Sequence, residues 1–140
     1  MKIKVKKLKA NAILPQMMRQ GDAAFDLATC EDVLLKSGET KIIPTGLALE
    51  IPVGFVGNIR DRSGLAGKHA LHTLAGIIDS NYRGEIGIVM TNLSQTDYQI
   101  KIGDRVAQML IQKIEITEFE EVEELSDTNR GEKGFNSSGY

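Results

Sequence analysis

Apolar and polar residues alternate with a period of two along much of this chain. Ile86, Ile88 and Met90 alternate with other residues in one segment, and Ile3 and Val5 alternate with lysines near the start. Such alternation is typical of strands that bury one face. Turn-forming groups separate these runs, which recur at intervals of roughly 8–12 residues. The pattern therefore predicts a β-sandwich or barrel rather than alternating strands and helices.

Two segments depart from this pattern. Residues 63–68 are compatible with a single helical turn, for which Ser63 is a plausible N-cap. Ile114 and Ile116 alternate with charged residues, and the acidic stretch 117–125 that follows fits either a short helix or a final strand. We favour a strand that continues through 117–125. The sequence thus predicts an all-β domain with at most one short helix.

Composition narrows the functional class. The chain has 140 residues, a size typical of one domain, and 5% aromatic residues, which predicts an aliphatic core. A formal net charge of −2 argues against general binding to nucleic-acid polymers or anionic membranes. Uninterrupted apolar runs reach only three residues, too few for a membrane span or a secretory signal. The single cysteine, Cys30, cannot form an internal disulfide, which favours the reducing cytoplasm.

Residues 126–140 differ in kind from the rest. They are polar and rich in glycine and serine, with one large apolar side chain, Phe135. Such a composition predicts a folded domain over 1–125 followed by a flexible tail over 126–140. The tail also combines Arg130 with serines and glycine backbone, which are donors that suit a phosphate group.

A second set of candidate phosphate ligands lies in residues 60–70. The guanidinium of Arg62 suits phosphate oxygens, Ser63 offers a hydroxyl and a backbone donor, and Gly64 permits close approach of a ligand. A capped turn with surface arginines explains the same residues equally well. His69 and His72 have no ligand-type neighbours at metal-binding spacing, so we interpret both as structural.

The segment 75–87 contains a candidate general base. Asp79 is predicted to lie at the tip of a hairpin between two apolar runs. A carboxylate held on a rigid turn can accept a proton from water, although a plain turn residue is the alternative. Tyr82 would project from the same hairpin and either cover a flat ligand or pack across the strands.

Two polar residues interrupt apolar runs. Gln108 lies within a predicted strand and needs a partner, which is either backbone or a ligand oxygen. Asp26 follows two alanines and a phenylalanine, so it should pair with a cation or accept bonds from backbone amides.

These five segments, in this order and spacing, resemble the five motifs of the trimeric deoxyuridine triphosphatases (dUTPases). The resemblance extends from about residue 20 to residue 139. It implies a distorted jelly-roll β-barrel or sandwich that forms homotrimers, with each active site shared by three subunits. It also implies Mg²⁺-dependent hydrolysis of dUTP to dUMP and pyrophosphate, which limits uracil in DNA and supplies dUMP for dTMP synthesis.

The resemblance also implies a role for each matching residue. Asp79 would deprotonate the water that attacks the α-phosphorus, Tyr82 would lie against the deoxyribose, and Phe135 would cover the uracil. Asp26 would lie near the metal and support it without binding it directly. The phosphates of the substrate would bind the Mg²⁺. The backbone of the 76–87 hairpin, including Gly76 and Ile78, would read the uracil. The other residues implied to contact the substrate are the phosphate-binding residues Arg62, Ser63, Gly64 and Gln108 and the tail residues Arg130, Gly134, Ser137 and Ser138.

Some positions depart from the common motifs, and two other functions remain as alternatives. Asp61 stands where proline is frequent, Asn81 replaces a second aspartate, and Lys133 and Asn136 replace glycines in the tail. A related dCTP deaminase would need a glutamate where this chain has Val89. A non-catalytic nucleotide-binding jelly-roll module would be favoured by loss of the aspartate or the tail, and both are present.

Overall fold

The computed structural model describes residues 1–132 and residue 134. Over these residues the chain forms eleven strands and one seven-residue helix, which confirms the predicted all-β class. That helix is far too short to cross a lipid bilayer. In chain order the elements are β1 (Lys4–Lys7), β2 (Phe25–Ala28), β3 (Val33–Leu35), β4 (Thr40–Pro44), β5 (Leu47–Glu50), β6 (Phe55–Asp61), α1 (Ser63–His69), β7 (Leu71–Thr73), β8 (Ile77–Ile78), β9 (Gly87–Asn92), β10 (Tyr98–Ile100) and β11 (Arg105–Lys113).

The strands form four antiparallel sheets in the described part of the chain. The largest has the order β2-β11-β6-β8, the next has the order β4-β9-β7, and the pairs β1-β5 and β10-β3 complete the fold. Strands that are neighbours in space are mostly distant in sequence, as expected of a jelly roll. In the largest sheet, β11 lies between β2 and β6, and these three strands carry three of the candidate motifs.

The core between the sheets is aliphatic. Ile88 and Met90 of β9 are fully buried, which confirms the alternation predicted for that segment. Burial of each such side chain contributes about 1.5–3 kcal/mol. The other large side chains that are almost fully buried are Leu27, Leu35, Ile43, Leu47, Ile51, Leu71, Ile86, Ile100, Val106 and Met109. The lysine-rich start does form a strand, but β1 is an exposed edge strand rather than a half-buried one.

The strand predicted for 117–125 is wrong. β11 ends at Lys113, the amide of Ile114 donates to the carbonyl of Gly54 at 2.9 Å, and the chain beyond 117 has no regular structure as far as it is described. Apolar residues recur there at every third position, so a strand would place Phe119 and Val122 on opposite faces. Neither face would be apolar enough to bury among the glutamates.

Candidate functional site

Residues of β2, β6 and β11, together with the loop before β2, line an open groove of about 910 Å³. Its walls carry more positive than negative charge, with four arginines and two aspartates: Arg19, Arg60, Arg62, Arg105, Asp22 and Asp26. Ser63 and Gln108 also line the groove. An excess of guanidinium groups in a concave surface favours an anionic ligand with several oxygens, such as a polyphosphate.

Asp26 holds two of these arginines in place. Its Oδ1 accepts a hydrogen bond from Arg62 Nε at 2.9 Å, and its Oδ2 accepts one from Arg105 Nη1 at 3.0 Å. Arg62 Nη1 also donates to the carbonyl of Arg105 at 3.0 Å. The prediction that Asp26 pairs with a cation is therefore confirmed. With both oxygens engaged, the carboxylate orients Arg62 at the groove.

Gln108 lies in the centre of the same sheet face. It is directly opposite Asp26 on one side and Arg60 on the other, so the three side chains share one face. Its Nε2 donates to the carbonyl of Asp61 at 2.7 Å. The sequence left either backbone or a ligand oxygen as the partner of Gln108. Its amide nitrogen bonds to backbone.

The helix α1 begins at Ser63, so the prediction of Ser63 as N-cap is wrong. The N-cap is Arg62, whose backbone is extended (φ −84°, ψ 124°) and whose carbonyl accepts from the amides of Leu65 and Ala66. Because the helix starts one residue earlier than predicted, Ser63 and Gly64 occupy its first turn, where amides have no intrahelical acceptor.

Gly64 has no packing role within the described chain. A Cβ there would meet no atom within 4 Å, and the backbone is not left-handed. Glycine in a helix is about 1 kcal/mol less favourable than alanine. The missing side chain instead leaves the first turn of α1 open to a ligand.

Asp79 lies on a turn, but not on the predicted hairpin. The amide of Tyr82 donates to the carbonyl of Asp79 at 3.1 Å, which closes the turn, and the Asp79 side chain is exposed. The strand before the turn, β8, pairs with β6, whereas the strand after it, β9, pairs with β4 and β7. The hairpin prediction was wrong because long-range partners already occupy both flanking strands.

The residues around this turn are held by their own backbone. The hydroxyl of Tyr82 donates to the carbonyl of Glu85 at 2.9 Å, and its ring lies against Gly84, where a Cβ would collide with it. Gly76 has a φ of +100°, and a Cβ there would lie 3.0 Å from Ile59, so the fold itself requires glycine. Ile78 packs, partly buried, against the core.

The structure thus brings only some of the predicted site residues together. Asp26, Arg62, Ser63 and Gln108 line the groove. The residues of the Asp79 turn are not among those that line the same groove in this chain: Gly76, Ile78, Asp79 and Tyr82. In the tail, Arg130 and Gly134 are exposed. Three predicted tail residues lie outside the described residues, namely Phe135, Ser137 and Ser138.

Asp61 is a polar residue of the site region whose contacts the sequence did not predict. Its Oδ1 accepts from the amide and the hydroxyl of Thr73, both at 2.6 Å, and its Oδ2 lies 2.7 Å from Nδ1 of His72. Burial raises the pKa of the Asp61 carboxyl, but these hydrogen bonds outweigh burial and lower the pKa below its usual value. The stabilisation that the ionised Asp61 carboxylate gives to the fold is therefore fully present above the pKa of an unfolded aspartate. It is lost as pH falls through the lowered pKa of the folded state.

No role was predicted for Arg105 from the sequence, and Arg60 was a candidate only as a member of the arginine-containing cluster in residues 60–70. Arg105 lies 79 residues from Asp26 in the chain, so only the strand order brings the two together. The sequence does supply a signal for Arg60, since it lies two residues before Arg62 in extended backbone, which places both side chains on the same side.

The described residues contain no group of three histidine, cysteine or acidic side chains placed to hold a metal ion. Both oxygens of Asp26 accept from arginines, and His72 contacts Asp61. The ring of His69 lies 4.7 Å from that of Tyr98, which is a structural contact. This donor set fits Mg²⁺ that is carried by a polyphosphate and its waters, which is a common way for proteins to use this ion.

Comparisons with known proteins agree on one family. A family model described as dUTPase matches residues 10–139. The chain is 49% identical over 141 residues to the deoxyuridine 5'-triphosphate nucleotidohydrolase of Nautilia profundicola, covering 99% of each chain. It is 43% identical over 140 residues to the enzyme of that name from Clostridioides difficile, covering 99% of this chain and 98% of the relative.

Solved structures give the same result. The dUTPase of Staphylococcus bacteriophage 80alpha, solved with dUpNHpp, matches with a TM-score of 0.94 and 34% identity, covering 99% of each chain. A variant of the dUTPase from phage phi11 of S. aureus matches with a TM-score of 0.83 and 32% identity, covering 88% of this chain and 97% of that one. The latter structure is described as showing the coordination of a structural Mg(II) ion.

Proposed function

We propose that this chain, which belongs to the dUTPase family, hydrolyses dUTP to dUMP and pyrophosphate. The observation that carries the proposal is the arginine-lined groove, in which Asp26 orients Arg62 beside Ser63 and Gln108. In the cell this reaction limits uracil in DNA and supplies dUMP for dTMP synthesis. A cytoplasmic location fits the buried free thiol of Cys30.

The reaction requires a water molecule to attack the α-phosphorus. Asp79 accepts the proton of that water, and the bond from the α-phosphorus to the bridging oxygen breaks as pyrophosphate leaves. Negative charge grows on the leaving group, where Arg62 and the donors of the first turn of α1 stabilise it. Arg62 is effective because the Asp26 carboxylate fixes its guanidinium before the substrate arrives.

Mg²⁺ is the proposed cofactor. When bound, it supplies charge neutralisation and orientation of the triphosphate oxygens. Asp26 would support the ion only indirectly, since its own oxygens are engaged by Arg62 and Arg105. The protein's contribution is therefore the shape and positive charge of the groove.

We further propose that the active sites form between subunits of a homotrimer. Within one chain, the Asp79 turn does not line the groove that carries Arg62, so a second subunit would supply the turn. On that turn the backbone of 76–87 would read uracil, and Tyr82 would lie against the deoxyribose. The domain would span 1–125, and a third subunit's tail, residues 126–140, would close the site.

The proposed roles of the tail follow its chemistry. Arg130 would bind the γ-phosphate, and Phe135 would cover the uracil ring. Backbone at Gly134 and the hydroxyls of Ser137 and Ser138 would complete the closure over the substrate. Closure of such a segment excludes bulk water from the reacting groups.

An assay of nucleotide hydrolysis tests the proposed function. We expect the purified trimer to release pyrophosphate from dUTP in the presence of Mg²⁺, and to act far more slowly on UTP, dTTP and dCTP. Ammonia release from dCTP would indicate a deaminase, which the valine at position 89 argues against. A trimer that binds dUTP but releases no pyrophosphate would contradict the proposal.

Replacement of Asp26 by asparagine should weaken substrate binding. Asparagine keeps the size of the side chain but lacks the charge that orients Arg62 and Arg105, so we expect KM for dUTP to rise about tenfold. The free energy of unfolding should fall by about 1.5–3 kcal/mol, the value of hydrogen bonds to a charged group. Urea denaturation and steady-state kinetics measure both effects.

A surface ion pair provides the control for Asp26. Glu50 contacts Lys4 at 2.9 Å on the exposed edge formed by β1 and β5. We expect Glu50→Gln to leave both KM and the midpoint of urea unfolding close to their native values, because exposed ion pairs contribute little to stability. Equal KM values in Asp26→Asn and the native protein would refute the orienting role.

A further inference from the structure

We infer that Asp61 is a positioning residue whose carboxylate holds the segment that carries Asp79 against the phosphate-binding strand β6. The inference rests on the proposed function, because it concerns the position of the general base that this subunit would present to the groove of another. Asp61 is the last residue of β6 and directly precedes Arg62. Its carboxylate bonds Thr73, the last residue of β7, six positions before Asp79.

The chain between β7 and β8 is attached to β6 at two points. The amide of Ile59 donates to the carbonyl of Gly76 at 2.8 Å, and the Asp61 carboxylate accepts two bonds from Thr73. These two attachments are two residues apart on β6 and three residues apart on the other segment. They fix both the distance and the direction of the chain as it enters β8 and then the Asp79 turn.

The conformation between these attachments is one that the residues would not adopt alone. Ala75 has a φ of +58° and Gly76 a φ of +100°, so both lie in the left-handed region. A non-glycine residue there is strained and persists only where surrounding contacts enforce it. The contacts that enforce it are the bonds from Thr73 to Asp61, the bond from the Leu74 amide to the carbonyl of Val89 at 2.8 Å, and the bond from the Ile59 amide to Gly76. Loss of the Asp61 bonds removes the restraint nearest the end of β6, so we expect Ala75 and Gly76 to leave the left-handed region more often.

Asp61 also reaches the groove through its backbone. Its carbonyl accepts the hydrogen bond from Gln108 Nε2 at 2.7 Å. Asp61 therefore lies between Gln108 and Arg62, which line this subunit's groove, and the segment that would present Asp79 to the groove of another subunit. The charged or titratable groups that share the small cavity beside Thr73 are Arg60 and His72, and His72 contacts the second oxygen of the same carboxylate.

Three variants test this inference. Asp61→Ala removes the acceptor for Thr73 and should lower kcat for dUTP by about 10–100-fold, since a displacement of about 1 Å can change rates by up to about 100-fold. KM should change less than threefold, because the substitution leaves two bonds in the groove intact. Gln108 bonds to the backbone carbonyl of residue 61, and Arg62 bonds to Asp26. Asp61→Asn retains an oxygen for the Thr73 amide and should restore kcat to within about threefold of the native protein.

Asp97→Ala is the matched control. The Asp97 carboxylate also accepts a bond from a distant backbone amide, that of Ser37 at 3.0 Å, but it does not line the groove. We expect its kcat to match that of the native protein. If Asp61→Ala and Asp97→Ala both lowered the melting temperature and neither changed kcat, Asp61 would be merely structural and the inference would be wrong.

Hydrogen exchange separates this inference from the proposed function. Amides of residues 74–80 should exchange at least tenfold faster in Asp61→Ala than in the native protein or in Asp97→Ala. If the native protein released no pyrophosphate from dUTP, the proposed function would fail, and exchange alone would decide the role of Asp61. Unchanged exchange over 74–80 in Asp61→Ala overturns the inference in either case.

Discussion

Asp79→Asn is expected to lower the turnover of dUTP by about 10²–10⁴-fold, the usual contribution of a general base. The substitution keeps the size and polarity of the side chain but removes its ability to take a proton from water. The turn itself should survive, because it is closed by the backbone bond from Tyr82 to the carbonyl of residue 79. Affinity for substrate should therefore stay close to that of the native protein.

Calorimetry with the analogue dUpNHpp measures that affinity, and pyrophosphate release measures turnover. Ser80→Ala serves as control, since Ser80 lies on the same turn and, among the described residues, only its carbonyl is hydrogen-bonded, by Arg83 Nη1 at 2.7 Å. We expect this control to turn over dUTP at a near-native rate. Near-native turnover in Asp79→Asn would exclude the carboxylate as the base, and joint loss of binding and turnover would mean that the turn had collapsed.

The need of Asp26 for a cation was predictable from the sequence, but the identity of the cation was not. A charged residue in an apolar run must be paired if it is partly buried. Its partners, Arg62 and Arg105, lie 36 and 79 residues away and reach it only through the order of β2, β11 and β6. Local patterns carry no information about which distant strands become neighbours.

The Asp79 turn shows the same difference between local chemistry, which the sequence reveals, and distant strand partners, which it does not. Local chemistry was sufficient to predict a turn at 79–81, but the strand partners of β8 and β9 depend on the whole sheet. The error at 117–125 was of another kind. Its apolar residues recur at every third position, which the sequence itself shows to be incompatible with a strand that buries one face.

The contacts of Asp61 could not be predicted from this one sequence. A charged residue between two arginines is most simply a solvated side chain. Its bonds to Thr73 arise because β7 lies beside the end of β6, an arrangement that no local motif indicates. The dUTPase motif does not predict the contact either, since proline is frequent at this position and lacks the carboxylate that accepts the bonds from Thr73.

Removal of residues 126–140 is expected to lower turnover of dUTP by about 10²–10³-fold, comparable to the loss of an essential transition-state donor. The deletion removes the Arg130 guanidinium and the Phe135 ring proposed to close the site, so bulk water would reach the phosphates. The folded core should remain intact, since β11 ends at Lys113 and the described residues from 126 to 132 are exposed. The midpoint of urea unfolding should therefore be unchanged.

A chain that lacks only Tyr140 provides the control, because this residue lies beyond the last motif, and we expect it to be fully active. Kinetics should also separate the two proposed roles of the tail. Phe135→Ala should raise KM by removing contact with the uracil ring, whereas Arg130→Ala should mainly lower kcat, because negative charge on the leaving pyrophosphate grows as the transition state forms. Full activity in the protein without 126–140 would disprove closure by the tail. Loss of activity together with a lower unfolding midpoint would instead show that residues 126–132 stabilise the fold.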